Sequence, residues 1–204
     1  MTFRALITPI LMPLFAIGAL MMPASAKAAD VVVDVRGADG KPLAGAVVSV
    51  ETARGGTPGL RGPYVIEQRD VAFRPDVLIV PVGASVVFPN RDKVRHHVYS
   101  FSKAKKFDLK LYGREDARSV VFDQPGIVTL GCNIHDRMNG VVYVTATPFT
   151  VRVGADGRAA LSGVPAGTAT IRVWHPSIRA PGNMLTRTTT VAAAGLATTY
   201  TIHR

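Results

Sequence analysis

Gly126-Ile127-Val128-Thr129-Leu130-Gly131-Cys132-Asn133-Ile134-His135-Asp136-Arg137-Met138-Asn139-Gly140-Val141-Val142 reads as two β-rich runs joined by a short polar loop. The loop carries a thiol, an imidazole and a thioether within seven residues: Cys132, His135 and Met138. Cys132 is the one cysteine of the chain. A second imidazole stands upstream, at His96 or His97. Thiolate, two imidazoles and a weak thioether are the donor set of a trigonal mononuclear copper centre that moves electrons. The sulfur donors suit Cu(I), while imidazole suits both oxidation states. A geometry between the preferences of the two states keeps reorganisation small. Taken singly, a Cys or a Met is core filler and a His is a satisfied polar residue. The spacing and order of the set outweigh those ordinary readings.

The rest of the chain fits an all-β surrounding. Short apolar runs alternate with Gly, Pro and Asp-Gly turns, and no sustained helical period is present. Strands are predicted over 31–36, 46–51, 77–81, 84–88, 97–101, 119–123, 126–130, 141–145, 150–153, 169–174 and 198–203. Residues 54–63, rich in Gly, Pro and Arg, read as a linker.

Arg4, the apolar stretch Ala5–Met22 and the small residues Ala24-Ser25-Ala26 form a secretory signal pattern, with cleavage expected after Ala26 or Ala28. The destination would be the periplasm, with no stable membrane insertion after cleavage. In an oxidising compartment a single cysteine has no internal disulfide partner, and metal ligation would protect it. The chain carries a formal charge of +10, and the signal segment holds two of the basic residues and no acidic one. Basic residues crowd the segment 91–118, including Lys103, Lys105 and Lys106. That density reads as a solvated face or as a docking patch for an acidic redox partner. No nucleic-acid motif is recognisable, so nucleic acid is not an expected partner.

Residues 63–147 resemble the cupredoxins, the small blue copper proteins. The resemblance is carried by Val65-Ile66-Glu67-Gln68, Phe73-Arg74-Pro75-Asp76-Val77-Leu78-Ile79-Val80, Gly83-Ala84-Ser85-Val86-Val87-Phe88, Asn90-Arg91-Asp92-Lys93-Val94-Arg95-His96-His97-Val98 and the Cys132 loop. The Cys-x2-His-x2-Met spacing is similar to the short loop of amicyanin. The resemblance implies a Greek-key β-sandwich and the copper ligands His96, Cys132, His135 and Met138. Asn90 would brace the ligand loops. Two differences stand out: His97 follows the first His ligand where Asn is usual, and Asp136 and Arg137 occupy a loop that is commonly apolar or Pro-rich. Strand alternation also favours His96 as the ligand. It shares a face with Val94 and Val98, expected to be buried, while His97 goes with Arg95 and Tyr99, with Phe101 breaking the pattern.

The flanks differ. Val31-Val32-Val33-Asp34-Val35-Arg36-Gly37-Ala38-Asp39-Gly40-Lys41-Pro42-Leu43-Ala44-Gly45-Ala46-Val47-Val48 resembles the opening of a carboxypeptidase-regulatory-like, transthyretin-like sandwich. Gly154-Ala155-Asp156-Gly157-Arg158, Gly163-Val164-Pro165-Ala166-Gly167 and Ile171-Arg172-Val173-Trp174-His175-Pro176 resemble its second half. The expected fold is therefore all-β, a cupredoxin-like sandwich inserted in or packed with a transthyretin-like one. The expected division is a signal peptide to 28, flanking strands over 29–53, a linker over 54–63, the cupredoxin part over 64–147 and the second flank over 148–204. The three-part order resembles exported bacterial proteins of the methylamine-utilisation type, which implies a redox role. His175 is expected to be structural, beside Trp174, rather than an extra ligand.

The leading expectation is an electron carrier with one copper ion and no substrate turnover. A copper-delivery protein using the same ligands is the alternative, and a structural or adhesion module without copper is a third class. Nucleophilic catalysis by Cys132 lacks an oxyanion motif and leaves Met138 unexplained.

Overall fold

Alternating apolar residues set the architecture: nearly every regular element is a strand whose inward positions are Val, Ile, Leu, Phe or Ala. The computed structural model describes residues 27–203. Of the expected signal segment, residues 1–26 lie outside the described residues, and Ala28 opens the first strand. In chain order the strands are β1 (Ala28–Gly37), β2 (Val47–Thr52), β3 (Tyr64–Val65), β4 (Glu67–Arg69), β5 (Ala72–Arg74) and β6 (Val77–Pro81). There follow β7 (Ala84–Pro89), β8 (His96–Ser102), β9 (Lys105–Tyr112), β10 (Ala117–Phe122), β11 (Gly126–Gly131) and β12 (Asn139–Thr145). The last are β13 (Thr150–Arg152), β14 (Arg158–Pro165), β15 (Gly167–Trp174), β16 (Met184–Val191) and β17 (Leu196–Ile202). One 3-10 turn, Pro181–Asn183, is the only helical element among the described residues. No helix among them is long and apolar enough to cross a membrane.

The two ends of the chain build one sandwich. A three-stranded sheet, β14-β1-β17, faces a four-stranded one, β13-β2-β15-β16. Between them lies a core that includes Val31, Val33, Val48, Val50, Ile171, Val173 and Ile202. The central segment leaves this sandwich after β2 and returns at β13, and those two strands are antiparallel neighbours, with Ser49 opposite Thr150. The central unit is thus an insertion between adjacent strands of one sheet.

That central unit is a second sandwich. A five-stranded sheet, β6-β12-β11-β8-β9, packs on β10-β7-β3 around Ile66, Phe88, Val98, Phe122, Leu130 and Val142. The chain passes from β7 to the β8–β9 hairpin in the facing sheet, and then back to β10 beside β7. That is a Greek-key connection. The fold is all-β as expected. β9, β14, β16 and the short β3, β4 and β5 are strands that the sequence reading did not assign.

The two sandwiches share a face. Outward residues of β6 and β12 (Val77, Ile79, Val141, Tyr143) meet outward residues of β2, β15 and β16 (Val47, Trp174, Met184). The Tyr143 and Trp174 rings are 6.1 Å apart, edge to face. The Ser49 and Tyr143 hydroxyls are 3.2 Å apart, and Arg152 pairs with Asp76 at 3.0 Å. The contact covers only part of the five-stranded sheet, and the outer face of β8 and β9 stays open to solvent.

Candidate metal centre

The Cys132 loop is the neck of a hairpin. Gly131 at the end of β11 pairs with Asn139 at the start of β12, so Cys132 and Met138 are the first and last residues of the loop. Alternation carries both inward: Val128, Leu130 and Cys132 continue one inward row, and Met138 continues the row that contains Val142 and Val144. Both are buried. The amide of Met138 donates to the His135 carbonyl at 2.9 Å and closes the loop. His135 is half-buried beside an exposed Ile134.

β8 lies next to β11 and supplies His96 at its start. His96 is fully buried, on the same inward row as Val98 and Ser100. Cys132 Sγ stands 4.0 Å from His96 Nδ1 and 3.6 Å from His135 Nδ1. The ligand atoms of these three residues all lie within 4.8 Å of one another, and the two imidazoles are 5.0 Å apart between ring centres. Among the described residues this is the one such cluster of three. Bonds of about 2.3 Å to sulfur and about 2.0 Å to nitrogen are usual for a first-row ion. In a trigonal plane they separate sulfur from nitrogen by roughly 3.7 Å. The cluster therefore fits one ion in its plane. Its soft thiolate, two imidazoles and neighbouring buried thioether favour copper over a hard cation.

Asp92 orients His96. Its carboxylate accepts from His96 Nε2 at 2.8 Å, which puts the ring proton on Nε2 and leaves the Nδ1 lone pair towards Cys132. Asp92 also accepts from the amides of Asp70, at 2.8 Å, and Val71, at 3.0 Å. Burial works to raise the Asp92 carboxyl, but the hydrogen bonds from Val71, His96 and Asp70 outweigh it and hold the group below the ordinary carboxylate range. The sequence reading quoted Asp92 but gave it no role. Its signal was a carboxylate four residues before a ligand candidate.

Asn90 is buried and braces the loop that leads to His96. Its amide donates to the carbonyls of Val94, at 2.8 Å, and Tyr112, at 3.2 Å, and its Oδ1 accepts from the Asp92 amide. These bonds all lie on the His96 side of the site. His97 faces outward, bonded through Nε2 to Asp108 at 2.5 Å. Val94 is exposed, contrary to the strand-face expectation, because it precedes β8 and alternation does not extend into its loop. Phe101 does not break the pattern: it is exposed and in phase with His97 and Tyr99. His175 lies just after β15, where its Nδ1 is 2.7 Å from the Ser177 hydroxyl, outside the three-residue cluster.

No model of a known protein family matches the chain, and no curated protein is similar to it. Several solved structures are similar to part of it. A purple cupredoxin from Nitrosopumilus maritimus aligns over 41% of this chain and 100% of its own, at 24% identity and a TM-score of 0.38. A mutant of amicyanin in its oxidised form aligns over 48% of this chain and 99% of its own, at 20% identity and a TM-score of 0.39. A copper-containing nitrite reductase from Thermus scotoductus aligns over 46% of this chain, at 26% identity and a TM-score of 0.40, and the chain spans only 25% of its length. Each likeness covers less than half of this chain, at low identity.

Proposed function

We propose that this protein binds one copper ion through Cys132, His96 and His135, with Met138 as a weak fourth ligand, and carries single electrons between protein partners in the periplasm. The supporting observation is the convergence of one thiol and two imidazole nitrogens within 4.8 Å, drawn from the start of β8 and from the loop between β11 and β12. Bound there, copper would supply a one-electron couple. Cys132 would give the thiolate and the most covalent bond. His96, fixed by Asp92, would hold its nitrogen in place through both oxidation states. His135, half-buried, would be the ligand nearest to solvent. The packed β-sheet around Cys132 and Met138 would limit movement as the charge changes. We read a carrier rather than an enzyme because Cys132, His96, His135 and Met138 are all used as ligands in this assignment.

Voltammetry combined with metal retention tests this reading and separates it from copper delivery. An electron carrier should give one reversible one-electron wave and keep its copper against a competing chelator in both oxidation states. Ready loss of Cu(I) to the chelator, without a reversible wave, would instead mean a delivery protein.

A further inference from the structure

The outer face of the five-stranded sheet is covered by the flanking sandwich over β6, β12 and part of β11, and bare over β8 and β9. On the bare part stands a row of aromatic rings. His97, Tyr99 and Phe101 project outward from β8, with ring centres 5.6 Å apart for the first pair and 5.2 Å for the second. Phe101 is 78% exposed. A phenyl ring that far in water, tilted against Tyr99, extends an exposed aromatic patch of the kind that marks an interaction surface.

The row leads to the thiol. Tyr99 pairs with Gly131 across the sheet, and its ring lies over that glycine: a Cβ at Gly131 would meet Tyr99 Cζ at 2.8 Å. Gly131 is peptide-bonded to Cys132. A continuous chain of contacts therefore runs from exposed Phe101 through Tyr99 and the Gly131 backbone to the Cys132 sulfur. The absence of a side chain at Gly131 is what lets the ring approach.

The rim is basic. Lys106 is directly opposite Phe101 in register, and Lys103 begins the turn that follows β8. Both are exposed. Asp108, the acid of this face, is already engaged by His97 and Lys110, and Lys105 is held by Asp123.

We propose that the His97–Tyr99–Phe101 row is the docking surface for an acidic one-electron redox protein, and that the electron passes through Tyr99 and Gly131. This rests on the electron-carrier reading above. In each encounter one electron leaves Cu(I) for the oxidised partner, giving Cu(II) and the reduced partner, with no proton transferred and no bond made. Apolar area at Phe101 and positive charge at Lys103 and Lys106 match a partner with an apolar centre and an acidic rim.

The test uses two anionic probes on the Cu(I)-loaded protein, which is diamagnetic. Hexacyanochromate(III) reports where an anion docks, through broadening of amide signals, whether or not the copper exchanges electrons. Hexacyanoferrate(III), which accepts one electron, reports the rate by stopped flow. Broadening should centre on residues 97–103 and 129, and K103E/K106E should remove it. That variant should also slow oxidation about tenfold at low salt, with the difference vanishing as ionic strength rises. Tyr99→Leu should slow oxidation several-fold, beyond any loss of docking read from the broadening, while the visible spectrum of the Cu(II) form stays as it is. Broadening centred on Ile134–Arg137, with rates indifferent to all these variants, would overturn the proposal. A rate unchanged by Tyr99→Leu would overturn the path through Tyr99. Broadening at the row in a wild-type protein that surrenders no electron would support anion docking there and refute the electron-carrier reading instead.

Discussion

Asp92 is the residue that ties the site to its scaffold. One carboxylate fixes the ring of buried His96 and, through two amides, holds the Asp70–Val71 turn that joins β4 to β5. Loss of a partner of this kind typically costs about 10–100-fold in metal affinity. Asp92→Ala should therefore weaken copper binding by about that factor in a chelator competition. Asp108→Ala, which removes the partner of outward His97, should leave it unchanged. Equal effects from the two would mean that the Asp92 contact to His96 does not support metal binding. The clustered residues were legible at this scale, because Cys132 and His135 are close in sequence and the burial of His96 follows from alternation along β8. Asp92 was not, because its contact to His96 depends on how the 90–95 loop folds back. No period in the sequence reports that fold.

At the scale of elements, β8 and β9 differ in how openly they announce themselves. β8 carries the inward row His96, Val98 and Ser100, and its outward row His97, Tyr99 and Phe101 is aromatic throughout. Phe101 looks like a fault in the alternation only if every large apolar residue must be buried. β9, Lys105–Tyr112, was hidden by its charge. Lys106, Asp108 and Lys110 take its outward positions and make it read as a charged loop, yet Phe107 and Leu109 between them pack against the core. Its last residue, Tyr112, is buried and accepts from Gln68 Nε2 at 2.6 Å while donating to the Phe88 carbonyl at 2.7 Å. Burial pushes its phenol well above the ordinary tyrosine range. This polar knot ties β9, β4 and β7 together beside His96, which Tyr112 faces across the sheet. The basic segment is also less uniform in space than in sequence. Arg91, Lys105, Lys110 and Arg118 each find an acid, and of the five other basic residues Lys103 and Lys106 stand as exposed charges beside Phe101.

Among the described residues the two sandwiches stack as four sheets, besides the two-stranded β4–β5 hairpin, rather than as two beads on a string. β2 and β13 are adjacent strands of the outer sandwich, so both ends of the inserted unit are anchored at one point. The shared face around Val47, Tyr143 and Trp174 fixes the orientation. Truncating Trp174 to Ala removes the largest side chain of that face and should destabilise the protein by about 3–5 kcal/mol. In wild type, loss of the copper band and loss of far-ultraviolet dichroism should coincide on heating. In the Trp174→Ala variant the two should separate, and coincident transitions there would mean that the shared face does not couple the units. The order of flank, central unit and flank was expected from the sequence, but the shared face was not. Short β motifs mark the flanks, but the outward residues of β12 and β15 look like ordinary alternation until the partner sheet is seen to cover them. The stack holds one thiol and two imidazoles together at one corner, and the most direct measurement is the spectrum of the protein loaded with one equivalent of Cu(II). An intense visible thiolate-to-copper band, with a matching mononuclear Cu(II) paramagnetic resonance signal, is the expected result, and Cys132→Ser and His96→Ala should each abolish the band while His97→Ala keeps it. A colourless protein, or a band that survives Cys132→Ser, would contradict the assignment of this cluster as a copper site.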